Sequence, residues 1–232
     1  MFVSPYVWKR NCIVFDKNKK SRGVTIVIRR HFAPTYSYNK LLHRPVNPRP
    51  HDLQFYSARR RGMLIDKQIT RWVSKPSVLP RRSCKETAHI IKYLQEAAYR
   101  PIHAQFIVGS APLRIGTKID LICTNDQNDI VLVEIKRGCH YRKATTGNKM
   151  IGFEKWTDSC YHQHQLQCLM NMYLFQETIP KTSRVSSLLL YVNDSNVSDA
   201  ICSSDFEYTS LTSDAKAILQ DTIHITRKRK RR

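Results

Sequence analysis

Two apolar stretches with carboxylates inside them constrain this chain more than any other feature. The first reads Ile115-Gly-Thr-Lys-Ile-Asp-Leu-Ile-Cys123 and the second Ile130-Val-Leu-Val-Glu-Ile-Lys-Arg137. Between them, Asn125-Asp-Gln-Asn-Asp129 predicts a tight turn, so the pair reads as a β-hairpin. Side chains alternate faces along a strand, which puts Glu134 and Lys136 on one side, ~7 Å apart. The hairpin brings Asp120 beside Glu134. Two carboxylates and a lysine inside apolar strands are costly to bury, which points to a bound cation and a reaction.

The rest of the chain supplies a setting for that hairpin. Pro-rich residues 43–50 cannot be regular structure. Upstream of them, Val24-Thr-Ile-Val-Ile28 reads as a strand. Residues 53–73 read as a helix around Arg59-Arg-Arg61. Ser83-Cys-Lys-Glu86 fits a capping box, with Ser83 as N-cap and Glu86 reaching back. The helix it opens carries Ile90, Ile91, Leu94, Ala97 and Ala98 as one stripe. Strands are expected at 103–109, 113–124 and 129–137, then a loop over 138–153. A helix is expected at 156–176, a strand at 185–192, a loop at 193–204 and a short helix at 211–222. These elements predict an α/β fold with a central mixed sheet flanked by helices. The expected division is a basic extension and connector at 1–52, a catalytic domain at 53–222 and a basic tail at 223–232.

Charge narrows the partner. The chain of 232 residues carries a formal +21. Residues 1–100 hold 22 Lys/Arg against 5 Asp/Glu, whereas residues 101–226 hold 11 against 13. Such a basic front half suits a polyanion, and DNA is the expected partner. Arg59, Arg60, Arg61, Arg81, Arg82 and Arg137 are the candidate phosphate contacts. The closing run Arg227, Lys228, Arg229, Lys230, Arg231 and Arg232 fits a nuclear localisation signal read by an import receptor, or a further phosphate-binding arm. A nuclear location is therefore expected. No apolar run approaches the ~20 residues a membrane-spanning helix needs, so no membrane partner is expected. The 7 cysteines form no Cys-x-x-Cys pair and read as reduced thiols. Cys160, His164 and Cys168 recur at helical spacing, but three groups on one straight helix spread too far for one ion, and core packing is the alternative.

Hydrolysing a phosphodiester requires an activated water, a neutralised phosphate and a stabilised leaving oxygen, and Mg²⁺ can provide all three. Mg²⁺ takes hard oxygen ligands and keeps several waters, so two carboxylates suffice. Asp120, Glu134 and the carbonyl of Ile135 are the candidate ligands, with Lys136 beside the phosphate. Mn²⁺ is an alternative ion.

The order Gly-x-x-x-Asp, turn, Glu-x-Lys resembles the PD-(D/E)xK nuclease superfamily. The segment His162-Gln-His-Gln-Leu-Gln-Cys-Leu-Met-Asn-Met-Tyr173 resembles the Gln-bearing helix of its lambda-exonuclease and RecB-like branch, and Lys136-Arg-Gly138 resembles the Lys-Thr-Gly ending found there. The likeness covers roughly residues 60–192 and resembles versions in large eukaryotic DNA viruses. It implies a restriction-endonuclease-like core, a Mg²⁺-dependent deoxyribonuclease, and products with a 5′-phosphate and a 3′-hydroxyl. It further implies catalytic roles for Asp120, Glu134, Lys136 and Gln165, the last chosen over Gln163 and Gln167 because it shares a face with Leu169 and Tyr173. Gln105 stands where the branch often has a metal-binding Glu, with Glu86, Glu96 and His89 as further candidates on the preceding helix. An exonuclease of viral DNA processing or recombination is expected, in which assembly into a homo-oligomer would suit action on ends. The alternatives are a structure-specific endonuclease on the same core and a degenerate DNA-binding protein.

Overall fold

A mixed β-sheet with helices on both faces organises the molecule, a computed structural model that describes residues 4, 6–9, 12–15, 19–20, 22–32, 50–75, 83–137, 145–150, 153–179, 184–193 and 197–202. A small antiparallel meander comes first: β1 (Val7–Lys9), β2 (Cys12–Phe15) and β3 (Lys19–Lys20). Then follow β4 (Arg22–Gly23) and α1 (Val24–Val27), which continues as a π-helical turn over Ile28–Phe32. Two longer helices are α2 (Pro50–Ser74) and α3 (Lys85–Glu96). The main strands are β5 (Arg100–Ser110), β6 (Ile115–Thr124) and β7 (Ile130–Arg137). A two-stranded ribbon, β8 (Thr145–Met150) and β9 (Phe153–Ser159), leads into α4 (Cys160–Thr178). The sheet is completed by β10 (Val185–Val192) and β11 (Val197–Cys202).

The strands β5, β6 and β7 run antiparallel in sequence order. β7 then pairs in parallel with β10, with α4 in the crossover, and β11 returns antiparallel to β10. β6 has β5 along one edge. Its other edge is shared: β7 pairs with Leu121–Thr124, and β4 pairs in parallel with Ile115 and Gly116. Residues between those two stretches therefore lie where the sheet forks.

Both faces are covered, which explains why β7 is apolar at consecutive positions. Val131 and Val133 pack with Ile65, Ile69 and Trp72 of α2 and Ile90, Ile91 and Leu94 of α3. Ile130 and Leu132 pack on the opposite side, with Leu166, Met170, Leu174 and Phe175 of α4. Val24, Val27, Ile28 and Phe32 belong to that same second layer.

Several expectations are corrected. Val24–Ile28 is helical, not extended, because Val24, Val27, Ile28 and Phe32 are buried while Thr25 and Ile26 face solvent. That spacing is helical, and burial against α4 outweighs the β-branched preference for strand. Arg22 and Gly23 pair with β6, and Val24, Val27, Ile28 and Phe32 pack in the core beneath it. The expected loop at 138–153 contains β8, and residues 156–159 belong to β9, so the helix starts at Cys160. Ser159 caps it, its hydroxyl accepting from the His162 N–H at 3.2 Å. The expected loop at 193–204 contains β11. The expected helix at 211–222 and the basic tail lie outside the described residues. Among the described residues, no helix is long and apolar enough to cross a membrane.

Candidate active site

The site is built where β6 and β7 part. Their ladder runs from Thr124↔Ile130 to Leu121↔Val133 and ends there, so Asp120 and Glu134 lie just beyond its last pair. Glu134 faces α4, whose Gln167 and Asn171 donate to it. At this step a side chain replaces the ladder: Asp120 Oδ2 accepts from the Ile135 N–H at 2.9 Å. Across the other edge, Gln105 Nε2 donates to Asp120 Oδ1 at 3.4 Å.

Glu134 is only 3% exposed. Its carboxylate is held by three donors. Lys136 Nζ and Gln167 Nε2 (2.7 Å) donate to Oε1, and Asn171 Nδ2 donates to Oε2 at 3.0 Å. Lys136 also donates to Gln167 Oε1 at 3.1 Å. The lysine is thereby fixed between a carboxylate and an amide. Burial works against its charge, but the Glu134 and Asp120 carboxylates outweigh this and raise its pKa, so Lys136 is an ammonium. Asp120 shows the opposite tension. Burial pushes its pKa well above the usual carboxylate range, and the charges of Glu134 and Asp66 push it further. Lys136 and the Ile135 N–H pull it back only in part.

The structure brings together Asp120, Glu134, Lys136, Ile135 and Gln105 as sequence reading expected. It brings in Gln167 where Gln165 was expected. Gln165 is also buried, but Gln167 bonds both Glu134 and Lys136. The reason is a row of buried amides one turn apart on α4. Gln163 donates to Asp158 at 2.9 Å, and Gln167 and Asn171 donate to Glu134.

Asp66 was missed altogether. It sits on α2, half-buried, with burial first and then the Glu134 charge raising its pKa, while Lys136 and Lys118 lower it. A lone acid between Ile65 and Ile69 in a basic helix was the available signal.

Other candidates have different roles. Glu86 is not a capping residue. Its fully buried carboxylate takes Arg61 Nε at 2.9 Å, Arg61 Nη2 at 3.0 Å and Arg137 Nε at 3.2 Å. The residue before α3 is Cys84, whose side chain makes no capping bond. Its N–H and the Thr87 hydroxyl instead donate to Gln68 Oε1 from α2. Arg61 and Arg137 therefore clamp α2, α3 and β7 together, which commits much of their donor capacity. Arg60 is exposed, the Arg59 side chain is not described, and Arg81 and Arg82 lie outside the described residues, as do 227–232. Glu96 is on the surface with Lys92, away from the site. His89 buries a ring Nδ1 that has no hydrogen-bond partner.

His164 is engaged by the sheet: its Nδ1 lies 2.8 Å from the Tyr191 hydroxyl. Burial first, then Lys136 and Arg29, hold its pKa well below the usual histidine value. Burial pushes the Cys168 thiol up to about 12, so it is no nucleophile. Among the described residues, no three His, Cys, Asp or Glu side chains gather closely enough to hold an ion alone.

The oxygen donors still fit a hard cation that keeps waters of its own, because Mg²⁺ needs few protein ligands. Asp120 is the better donor, since Oδ1 has a single long contact and a cation would relieve its repulsion by Glu134. Glu134 has less to offer while three donors hold it. Gln105 presents its NH₂ group to Asp120, which does not suit ligation by that atom.

No known protein-family model matches the chain, and a search of curated protein sequences finds no match either.

Proposed function

We propose that this chain is a metal-dependent deoxyribonuclease with a restriction-endonuclease-like core, of the lambda-exonuclease-like kind. One observation carries the reading: Asp120 and Glu134 lie just past the last pair of the β6–β7 ladder, with Asp120 bonded to the Ile135 N–H and Lys136 bonded to Glu134. The chain's strong positive charge supports a nucleic-acid substrate.

Asp120, Glu134 and the Ile135 carbonyl would hold Mg²⁺. When bound, that ion neutralises the phosphate and makes water a better nucleophile. The chain's own residues do the positioning. Lys136 acts as a hydrogen-bond donor here. Its Nζ can hold the attacking water or a non-bridging phosphate oxygen, and it counters the charge that builds on phosphorus. Gln167 keeps Lys136 in place by accepting from it, and keeps Glu134 in place by donating to it. Water adds to phosphorus and gives up a proton to solvent, the bond to the 3′ oxygen breaks, and that oxygen takes a proton from solvent. A 5′-phosphate and a 3′-hydroxyl result.

A second reading has two observations in its favour. Glu134 is already engaged by three donors, and Gln105 supplies no charge. A DNA-binding protein that has lost turnover would have these features too.

Incubation of end-labelled linear DNA and closed circular DNA with Mg²⁺, Mn²⁺ or EDTA separates the readings, with Lys136→Ala run in parallel. Metal-dependent loss of linear DNA alone, absent in the variant, is expected. Cutting of the circle would mean an endonuclease on the same site. Tight binding with no cutting under any metal would sink the enzyme reading.

A further inference from the structure

The middle of β5 contains a backbone conformation that a strand does not call for. Gln105 has φ 54°, in the left-handed region. A non-glycine residue there is strained and persists only when its surroundings demand it. What the strain achieves is visible in the packing. In a regular strand, residues two apart share a face. Ala104 packs with the α2–α3 layer, yet Phe106 packs with the α4 layer. The partner strand does the same: Leu121 is in the first layer and Ile119 in the second. The ladder pairs Ala104↔Leu121 and Phe106↔Ile119, so Gln105 and Asp120 face each other at the turnover. The His103 and Phe106 rings, 5.2 Å apart, also share a side only because the strand turns over between them.

Resting on the nuclease reading for its catalytic meaning, we propose that Gln105 is the positioning residue of Asp120. Its left-handed backbone turns β5 and β6 over together. That brings the Asp120 carboxylate off the sheet face and into the gap left by β7, against the Ile135 N–H. The Gln105 amide then steadies the other carboxylate oxygen. In this role Gln105 is not a metal ligand. It fixes where the ligand stands.

Three variants separate backbone from amide. Gln105→Gly keeps the left-handed backbone at no steric cost and removes the amide. Gln105→Ala removes the amide and keeps the strain. Gln105→Asn tolerates the backbone and offers a shorter amide. The readouts are thermal midpoint, the Ile135 amide-proton resonance and its exchange rate, Mn²⁺ affinity by calorimetry, and the kcat and KM of cleavage. Glycine should melt about 2–4 °C above alanine. In both, the Ile135 resonance should move upfield, its exchange should quicken and Mn²⁺ should bind more weakly. Cleavage should lose about 10- to 100-fold in kcat with KM little changed, as expected for a misplaced carboxylate. Asparagine should recover part of each loss. Glycine melting no higher than alanine would overturn the backbone part. An unmoved Ile135 resonance with unchanged Mn²⁺ affinity would overturn the amide part. If the wild-type chain cuts nothing, the nuclease reading fails, while the melting and Ile135 measurements still decide the role of Gln105.

Discussion

Gln167 and Asn171 reach Glu134 from successive turns of α4 and satisfy one oxygen each. A carboxylate with 3% exposure depends on such donors, because hydrogen bonds to a buried charge matter more than those between neutral groups. Gln167→Leu and Asn171→Leu should each cost about 1.5–3 kcal/mol in urea unfolding. Gln167→Leu should also abolish most turnover, because Lys136 loses its second anchor. His164 gives a pH signature. Its folded pKa is depressed, so the unfolded chain takes up a proton before the folded one as pH falls below the usual histidine value, and stability drops in that window. His162 and His103 are depressed as well and add to the fall. Asp120 and Asp66 are raised; their contribution is present at low pH and lost as pH rises through their folded values, so it opposes the fall only in part. His164→Gln should make the loss of thermal midpoint from pH 8 to pH 6 shallower; an unchanged slope would contradict this. At this scale the sequence was partly legible. Asp120, Glu134 and Lys136 stood out because charges interrupted apolar strands. Gln167 did not stand out, because an amphipathic projection from Leu169 and Tyr173 pointed to Gln165. On a helix buried almost all round, no single apolar face marks the inside.

The hairpin of β6 and β7 and the long helices α2, α3 and α4 were readable as elements, since their periodicity and turn residues agree. The Asn125–Asp129 turn closes with the Asp129 N–H donating to Asn125 Oδ1 at 2.8 Å, the local bond that makes Asn favourable there. Two features were not readable. The turnover of β5 carries Gln where a glycine would have announced it. The start of α3 mimics a capping box, but long-range partners claim the Cys84 N–H and the Glu86 carboxylate. Gln68 takes the backbone N–H and two arginines take Glu86. Glu86→Gln should therefore destabilise by about 3 kcal/mol, at the low end for breaking a buried pair because both arginines can partly rehydrate. Denaturant midpoints with and without 0.5 M salt, roughly a fourfold shorter Debye length than dilute buffer, check this; a cost that vanishes in salt would mean a surface pair instead.

For the whole molecule, charge and core make separate predictions. The last six residues add six positive charges, so removing them should reduce the salt slope of DNA binding by at most about 5, with less effect on cleavage at low salt. An unchanged slope would exclude the tail from DNA contact. Phe32 is buried against the α4 layer, and Phe32→Ala should cost about 3–5 kcal/mol, as much as a truncation within α4 itself. Composition suggested an appendage there because the segment is basic and irregular, and its burial depends on partners far along the chain. That distance has a consequence for synthesis. Arg22 waits for Ile115, and Val24 to Phe32 wait for the α4 layer that ends near Phe175. The first part of the domain to leave the ribosome is thus among the last that can dock. Until then the emerging chain displays an apolar segment whose packing partners have not yet been made, the kind of exposure that favours aggregation.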